Sequence, residues 1–200
     1  MRRNAVRTRA LSAWPMSDSP GRRARELVRP LVRVRQIREF TPEPPTDAEL
    51  AAIADAARWS GSSSNEQPWR FIVIRDPEVL TRLTEAGLPQ TRTLRTAPAA
   101  IATALRLDDR DVSRAYDEGR AVERILIAAN LVGLAAGIAW IKKDLGPIVS
   151  ELLGVPAEWF VRTIVAIGHP TEAATRPKSE PGKARLPRDQ VVFEEHWPGD

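Results

Sequence analysis

The sequence predicts an α+β domain in which helices cover a mixed sheet. Three observations carry this. Helical and strand-like segments alternate, but the strands are few and short. Residues 116–134 read as one long helix, amphipathic in front and apolar nearly all round from Ile125, as a helix at the centre of a fold or a dimer would be. The chain has no internal repeat, no G-x-G-x-x-G after a strand and no G-x-x-x-x-G-K-[ST], so neither a Rossmann dinucleotide site nor a P-loop is indicated.

The elements follow in order. Residues 21–35 have helix composition, interrupted by Pro30. "REFTPEPP" is a turn with an extended exit. Thr46 opens a helix with Glu49 three residues on, a capping box, and "LAAIADAARW" continues at helical spacing. The polar run "SGSSSNEQ" stops at Pro68-Trp69 and passes into the β-branched strand at 70–75. "DPEVLTRLTEAG" is a capped helix ending at Gly87. After Pro98, residues up to 107 read as a strand. "GIAWI" is a strand, and "GPIVSELLGV" is a helix with Pro147 in its first turn. "VRTIVAIGHP" is the last core strand. From 170 the chain is rich in Pro and charge and reads as an extended arm, 170–200, whose apolar end (Val191, Val192, Phe193, Trp197) needs a surface, plausibly a partner subunit. Residues 1–20 are expected to be a disordered basic extension, and 21–200 a single domain. Met16 and the "SDSPGRRARELV" after it look like a natural beginning, with 1–15 upstream of it.

Composition excludes several functions. There is no cysteine, hence no disulfide and no thiolate chemistry, which suits a cytoplasmic protein. His169 and His196 are the only histidines, too few for a His-rich metal site. Eleven Arg precede residue 39 against only Asp18 and Glu26. No aromatic residues interleave with them for base stacking, so they read as a solvated tail rather than a nucleic-acid arm. The apolar run 125–141 has seventeen residues, interrupted by Asn130 and two glycines. A membrane span needs about 20, so it reads as a buried helix and a strand. Gly133 and Gly137 form a G-x-x-x-G that suits close helix packing. Asp108, Asp109 and Asp111 read as a solvated turn.

A polar loop feeding a buried strand aims its groups at its own backbone or at a ligand. "RQIREF" (35–40), "LAAIADAARWSGSSSNEQPWRFIVI" (50–74), "IVAIGHP" (164–170) and "KAR" (183–185) stand in the order found in the nitroreductase family of flavoproteins, which this chain resembles. That resemblance implies a nitroreductase-like mixed, mainly antiparallel sheet, with the long helix at the interface of an intertwined homodimer. It implies FMN at that interface and NAD(P)H as co-substrate. It also implies a ping-pong hydride transfer to nitro, quinone or related small acceptors. No catalytic side chain is required, because the flavin carries the chemistry.

The residue types suit the job. Guanidinium forks bind a phosphate dianion; Arg35, Arg38 and Arg185 offer them, Lys183 adds a point charge, and Gln36 stands between the first two. Asn65 and Gln67 can donate and accept along a flavin edge. Ser62 and Ser63 suit ribityl hydroxyls, and the resemblance implies that backbone amides at Ile141 and Lys142 approach the reactive ring nitrogen. Trp69 and Phe71 anchor the loop in the core, and His169 is a packing residue. Gln36 and Gly61 depart from the family pattern, and the alternative reading is a protein that binds a flavin or deazaflavin for storage or sensing without turnover.

Overall fold

The computed structural model describes residues 21–177, 179–180, 183 and 185–197; the extension at 1–20 lies outside them. Two compact units are formed. Leu27–Thr175 holds the sheet, and the described residues before and after it form the second unit.

The first unit is built on four strands: β1 (Trp69–Ile74), β2 (Ala99–Arg106), β3 (Ala135–Trp140) and β4 (Trp159–Gly168). Their order is β1-β2-β4-β3, with every neighbour antiparallel. One parallel bridge, Gln36 to Ala136, extends the sheet past the edge strand β3, so mixed pairing enters at that edge. The α-helices among the described residues are α1 (Arg22–Arg33), α2 (Asp47–Arg58), α3 (Pro77–Ala86), α4 (Asp111–Leu131), α5 (Gly146–Leu153) and α6 (Glu172–Thr175), with four short 3-10 turns besides.

The capping box of α2 forms as the sequence predicts. Thr46 Oγ1 accepts from the Glu49 amide at 3.2 Å, and Glu49 Oε2 accepts from the Thr46 amide at 2.7 Å. That backbone bond holds the Glu49 carboxyl below its ordinary range. Helix α2 then buries Leu50, Ile53 and Ala57 against α4 and one face of the sheet. Each large side chain so buried stabilises the fold by about 1.5–3 kcal/mol. The other face packs Ala100, Ala102 and Ile164 against α3 and α5.

Helix α4 begins and ends earlier than the sequence pattern suggests. It stops because Gly133, at φ 85°, takes the left-handed turn that closes a Schellman motif: the Leu134 amide donates to Ala129 O at 2.8 Å and the Gly133 amide to Asn130 O at 3.2 Å. Leu134 is thereby free to lead into β3. Gly133 and Gly137 do not serve helix packing. Gly137 lies in β3, where the Ile37 carbonyl passes over it; a Cβ there would collide with that oxygen and sit 2.8 Å from Thr93 Oγ1.

Strand β4 carries a bulge. Thr163 pairs with Thr103 but Val161 pairs with Ala104, leaving Arg162 as the extra residue. The bulge turns Arg162 toward α4, where its Nε donates to the buried Glu118 at 2.7 Å, and its guanidinium lies against Trp140 and Phe160. No helix among the described residues is long and apolar enough to cross a membrane, and among them no cluster of His, Asp or Glu could hold a metal ion.

Candidate functional site

Residues 35–38 lie along the free edge of β3. The Ile37 amide donates to Ala136 O at 2.8 Å, and the side chain of Ile37 is buried. Gln36 Oε1 accepts from the Ile138 amide at 3.4 Å, so this departure from the family pattern latches the segment to the sheet. Burial of Ile37 leaves its neighbours outside. Arg35 and Arg38 are both exposed. Arg35 donates to Thr175 O at 2.7 Å, and no hydrogen bond or ion pair among the described residues engages Arg38.

The segment after β3 lies on the same edge. Here the sequence expectation is corrected in part. The Ile141 amide donates to Arg162 O at 2.8 Å, and the side chain is buried. Only the Lys142 amide, on an exposed residue in extended conformation, is left to face a ligand.

The polar loop at 62–67 enters β1, on the opposite edge. It folds on itself and leans on α4. Ser62 Oγ accepts from the Gln67 amide at 2.9 Å, closing the loop, so Ser62 keeps its O–H proton and one lone pair for a ligand. The Ser63 amide donates to the carboxylate of Asp117 on α4, at 3.1 and 3.3 Å to its two oxygens. Ser64, Asn65 and Gln67 take φ of 50°, 54° and 52°. Left-handed backbone costs roughly 1–2 kcal/mol per L-residue, least for Asn. Pro68 narrows the choices of Gln67 further. Asn65 and Gln67 are exposed, and Gln67 Nε2 makes one long bond, 3.4 Å, to Asn65 O. Trp69 is buried and lies 6.2 Å from Phe71, anchoring the loop as the sequence suggests.

Glu66 turns the other way. Arg110 Nη1 and Nη2 donate to its two oxygens at 2.5 and 2.7 Å, and Arg114 Nη1 donates to Oε2 at 2.9 Å. Arg114 also holds Asp108, with Nε at 3.0 Å from Oδ2 and Nη2 closer still. Asp108 is therefore not a solvated turn residue. Its side chain is drawn in because Arg114, only 2% exposed, needs a counter-charge.

Arg110 first and Arg114 second hold the Glu66 carboxyl below its ordinary range, and Arg114 does the same for Asp108. Both carboxylates thus stabilise the fold fully above their unfolded values, about 4.3 and 3.9. That contribution is lost as pH falls through the lower folded values. The melting temperature of the parent should drop steeply below about pH 4. The Glu66→Gln/Asp108→Asn variant should start lower and drop less. Parallel pH curves for the two proteins would rule the network out as the acid-labile part.

Sequence reasoning missed Arg114 and Asp117. A signal was present: Arg114 and Glu118 continue the apolar stripe of Ala121 and Ile125 at helical spacing, so charge falls on a buried face. Lys183 and Arg185 belong to the second unit, where Lys183 Nζ pairs with Glu180 at 2.6 Å. His169 is half-buried and accepts from the Thr41 amide through its backbone carbonyl at 2.8 Å.

Comparison with known proteins places the chain in a family. The nitroreductase family profile matches residues 32–106. The Archaeoglobus fulgidus protein named "Putative NADH dehydrogenase/NAD(P)H nitroreductase" is 33% identical over 147 residues, covering 69% of this chain and 82% of its own. The FMN reductase [NAD(P)H] of Bacillus subtilis is 26% identical, covering 86% of this chain and 74% of its own. In fold, the chain is similar to the FMN-dependent nitroreductase of Clostridium difficile, with TM-score 0.72 and 24% identity over 84% of this chain and 98% of that one. The chain belongs to the nitroreductase family.

Proposed function

We propose that the chain is an FMN-dependent NAD(P)H oxidoreductase working as a homodimer. NAD(P)H and then a nitro, quinone or related acceptor occupy the same place in turn. The observation that carries this reading is the set of groups on the β3 edge: an exposed Arg38 without a protein partner among the described residues, the exposed Arg35, of which one Nη is spent on Thr175 O, and the Lys142 amide. Two guanidinium groups suit a phosphate dianion, and the exposed amides of Asn65 and Gln67 suit a ring edge that alternates donors and acceptors. The donor set therefore fits FMN. Bound FMN supplies the redox chemistry; the protein binds, orients and shields. The relatives named for FMN and NAD(P)H support the same choice.

The placing of these groups supports a dimer. The arginines and Lys142 are carried by β3, the loop by β1, and two strands lie between them. Three interstrand steps separate the edges, roughly 14 Å at the strands themselves. A second copy, related by a two-fold axis, can bring its loop to the first copy's β3 edge. Exposed apolar side chains that such a copy could cover are Leu27 and Leu31 on α1 and Val112, Tyr116 and Leu131 on α4, all more than half exposed except Leu31, at 50%. The exposed Val191 and Trp197 of the arm, Trp197 at 83%, need cover as well.

Subunit complementation tests the reading. Arg38→Ala and Asn65→Ala should each lower NAD(P)H-dependent reduction of a nitroaromatic at limiting FMN. Co-refolded together, they should regain about one intact site in four, because half the dimers are mixed and each mixed dimer holds one intact site. No recovery would place the whole site in one chain.

A further inference from the structure

Glu66 stands between the two loop residues assigned to the cofactor, yet it touches neither solvent-side neighbour. It points at α4. Its carboxylate takes three charge-assisted hydrogen bonds from Arg110 and Arg114, and Arg114 is itself buried and fixed by Asp108. Asp117, also on α4, with a side chain 3% exposed, holds the Ser63 amide. Four tethers thus run from one rigid helix and its approach to a loop of six residues. Two of the left-handed residues, Ser64 and Asn65, lie between the tethered Ser63 and Glu66, and the third, Gln67, directly follows Glu66. Such backbone persists only where its surroundings over-determine it. A loop free to relax would return Asn65 and Gln67 to ordinary φ and turn their side chains elsewhere.

We infer that Glu66, held by Arg114, Arg110 and Asp108, is a positioning residue for the flavin-binding amides of Asn65 and Gln67. This rests on the reading of the loop as a flavin contact. Its role is to fix direction: with the Glu66 side chain, 31% exposed, held against Arg110 and Arg114, the exposed residues on either side are left to face a ligand. Glu66 meets no ligand itself. Arg114 is buried to give the lock a fixed end, since an exposed arginine alone would hold Glu66 only weakly. The pairing is bidentate, which specifies direction as well as attraction. An ammonium could supply the charge without the fork.

The test is a mutant cycle on the full-length protein with FMN as the probe. Glu66→Gln is combined with Asn65→Ala/Gln67→Ala, and FMN dissociation is followed by recovery of flavin fluorescence. Melting of the FMN-free proteins is measured in parallel. In the parent background, Glu66→Gln should speed FMN loss about tenfold. In the background lacking both amides it should change FMN loss less than twofold, because the groups it positions are gone. Arg114→Lys should fall between parent and Glu66→Gln. The same tenfold factor in both backgrounds, or no change in either while the parent holds FMN, would overturn the inference. A parent that binds no FMN would overturn the reading of the loop, and this inference with it.

Discussion

Gly137→Ala should lower the melting temperature and strip the protein of FMN in the same step. The new methyl group would meet the Ile37 carbonyl, which is backbone and has no rotamer to change, and Thr93 Oγ1 at 2.8 Å. Ile37 is tied to β3 by its own amide and by the bridge at Gln36, so it cannot retreat without breaking both. Overpacking of this kind costs about 1–3 kcal/mol, which is a fall of roughly 2–12 °C for a chain of this size. The displaced segment carries Arg35 and Arg38, so FMN affinity should fall further than stability. Adding Thr93→Ala should not restore either property, because the backbone clash remains. Calorimetry and flavin content on the three proteins decide it; a Gly137→Ala protein with parental melting and parental flavin would show that the segment does not pass over β3 so closely.

Arg38→Ala should cost tenfold to a hundredfold in FMN affinity and leave riboflavin binding unchanged. Charge-assisted hydrogen bonds are worth about 1.5–3 kcal/mol, and each 1.4 kcal/mol is about tenfold. Exposure would ordinarily reduce this, since surface ion pairs contribute about 0–1 kcal/mol. Here the guanidinium is not spent on a protein partner among the described residues, and the ligand carries up to two charges. Riboflavin lacks the phosphate and so serves as the control. Arg38→Lys should recover part of the loss. Fluorescence quenching with both ligands reads the outcome. Equal losses for FMN and riboflavin would place Arg38 away from the phosphate.

Most elements were legible from local chemistry. The Thr46 capping box, the Asp76 cap with Pro77 behind it, and the β-branched run after Trp69 each name a boundary or a type without help from the rest of the chain. What was not legible depends on approach across the fold. Gly137 looked like a helix-packing glycine, because nothing local says that the chain at Ile37 returns to cross β3. Asp108 looked solvated, because its partner Arg114 is recognised as buried only once α4 lies on the sheet. The site shows the same division. Arg35, Arg38, Asn65 and Gln67 could be named from residue type and order. That Ile141 spends its amide on Arg162, that Ser62 closes its own loop, and that Glu66 pairs with Arg110 and Arg114 are tertiary facts. The left-handed backbone at Ser64 and Gln67 also runs against local preference, which is what a loop held for a purpose would show.

An anaerobic titration tests the central claim most directly. FMN-loaded protein is mixed with NADH or NADPH, and the visible flavin absorption is followed before and after a nitroaromatic or quinone is added. The proposed function predicts that the absorption bleaches with at least one nicotinamide and returns when the acceptor is added. Flavin that stays coloured with both nicotinamides would contradict it, and would leave a protein that holds a flavin without turning it over.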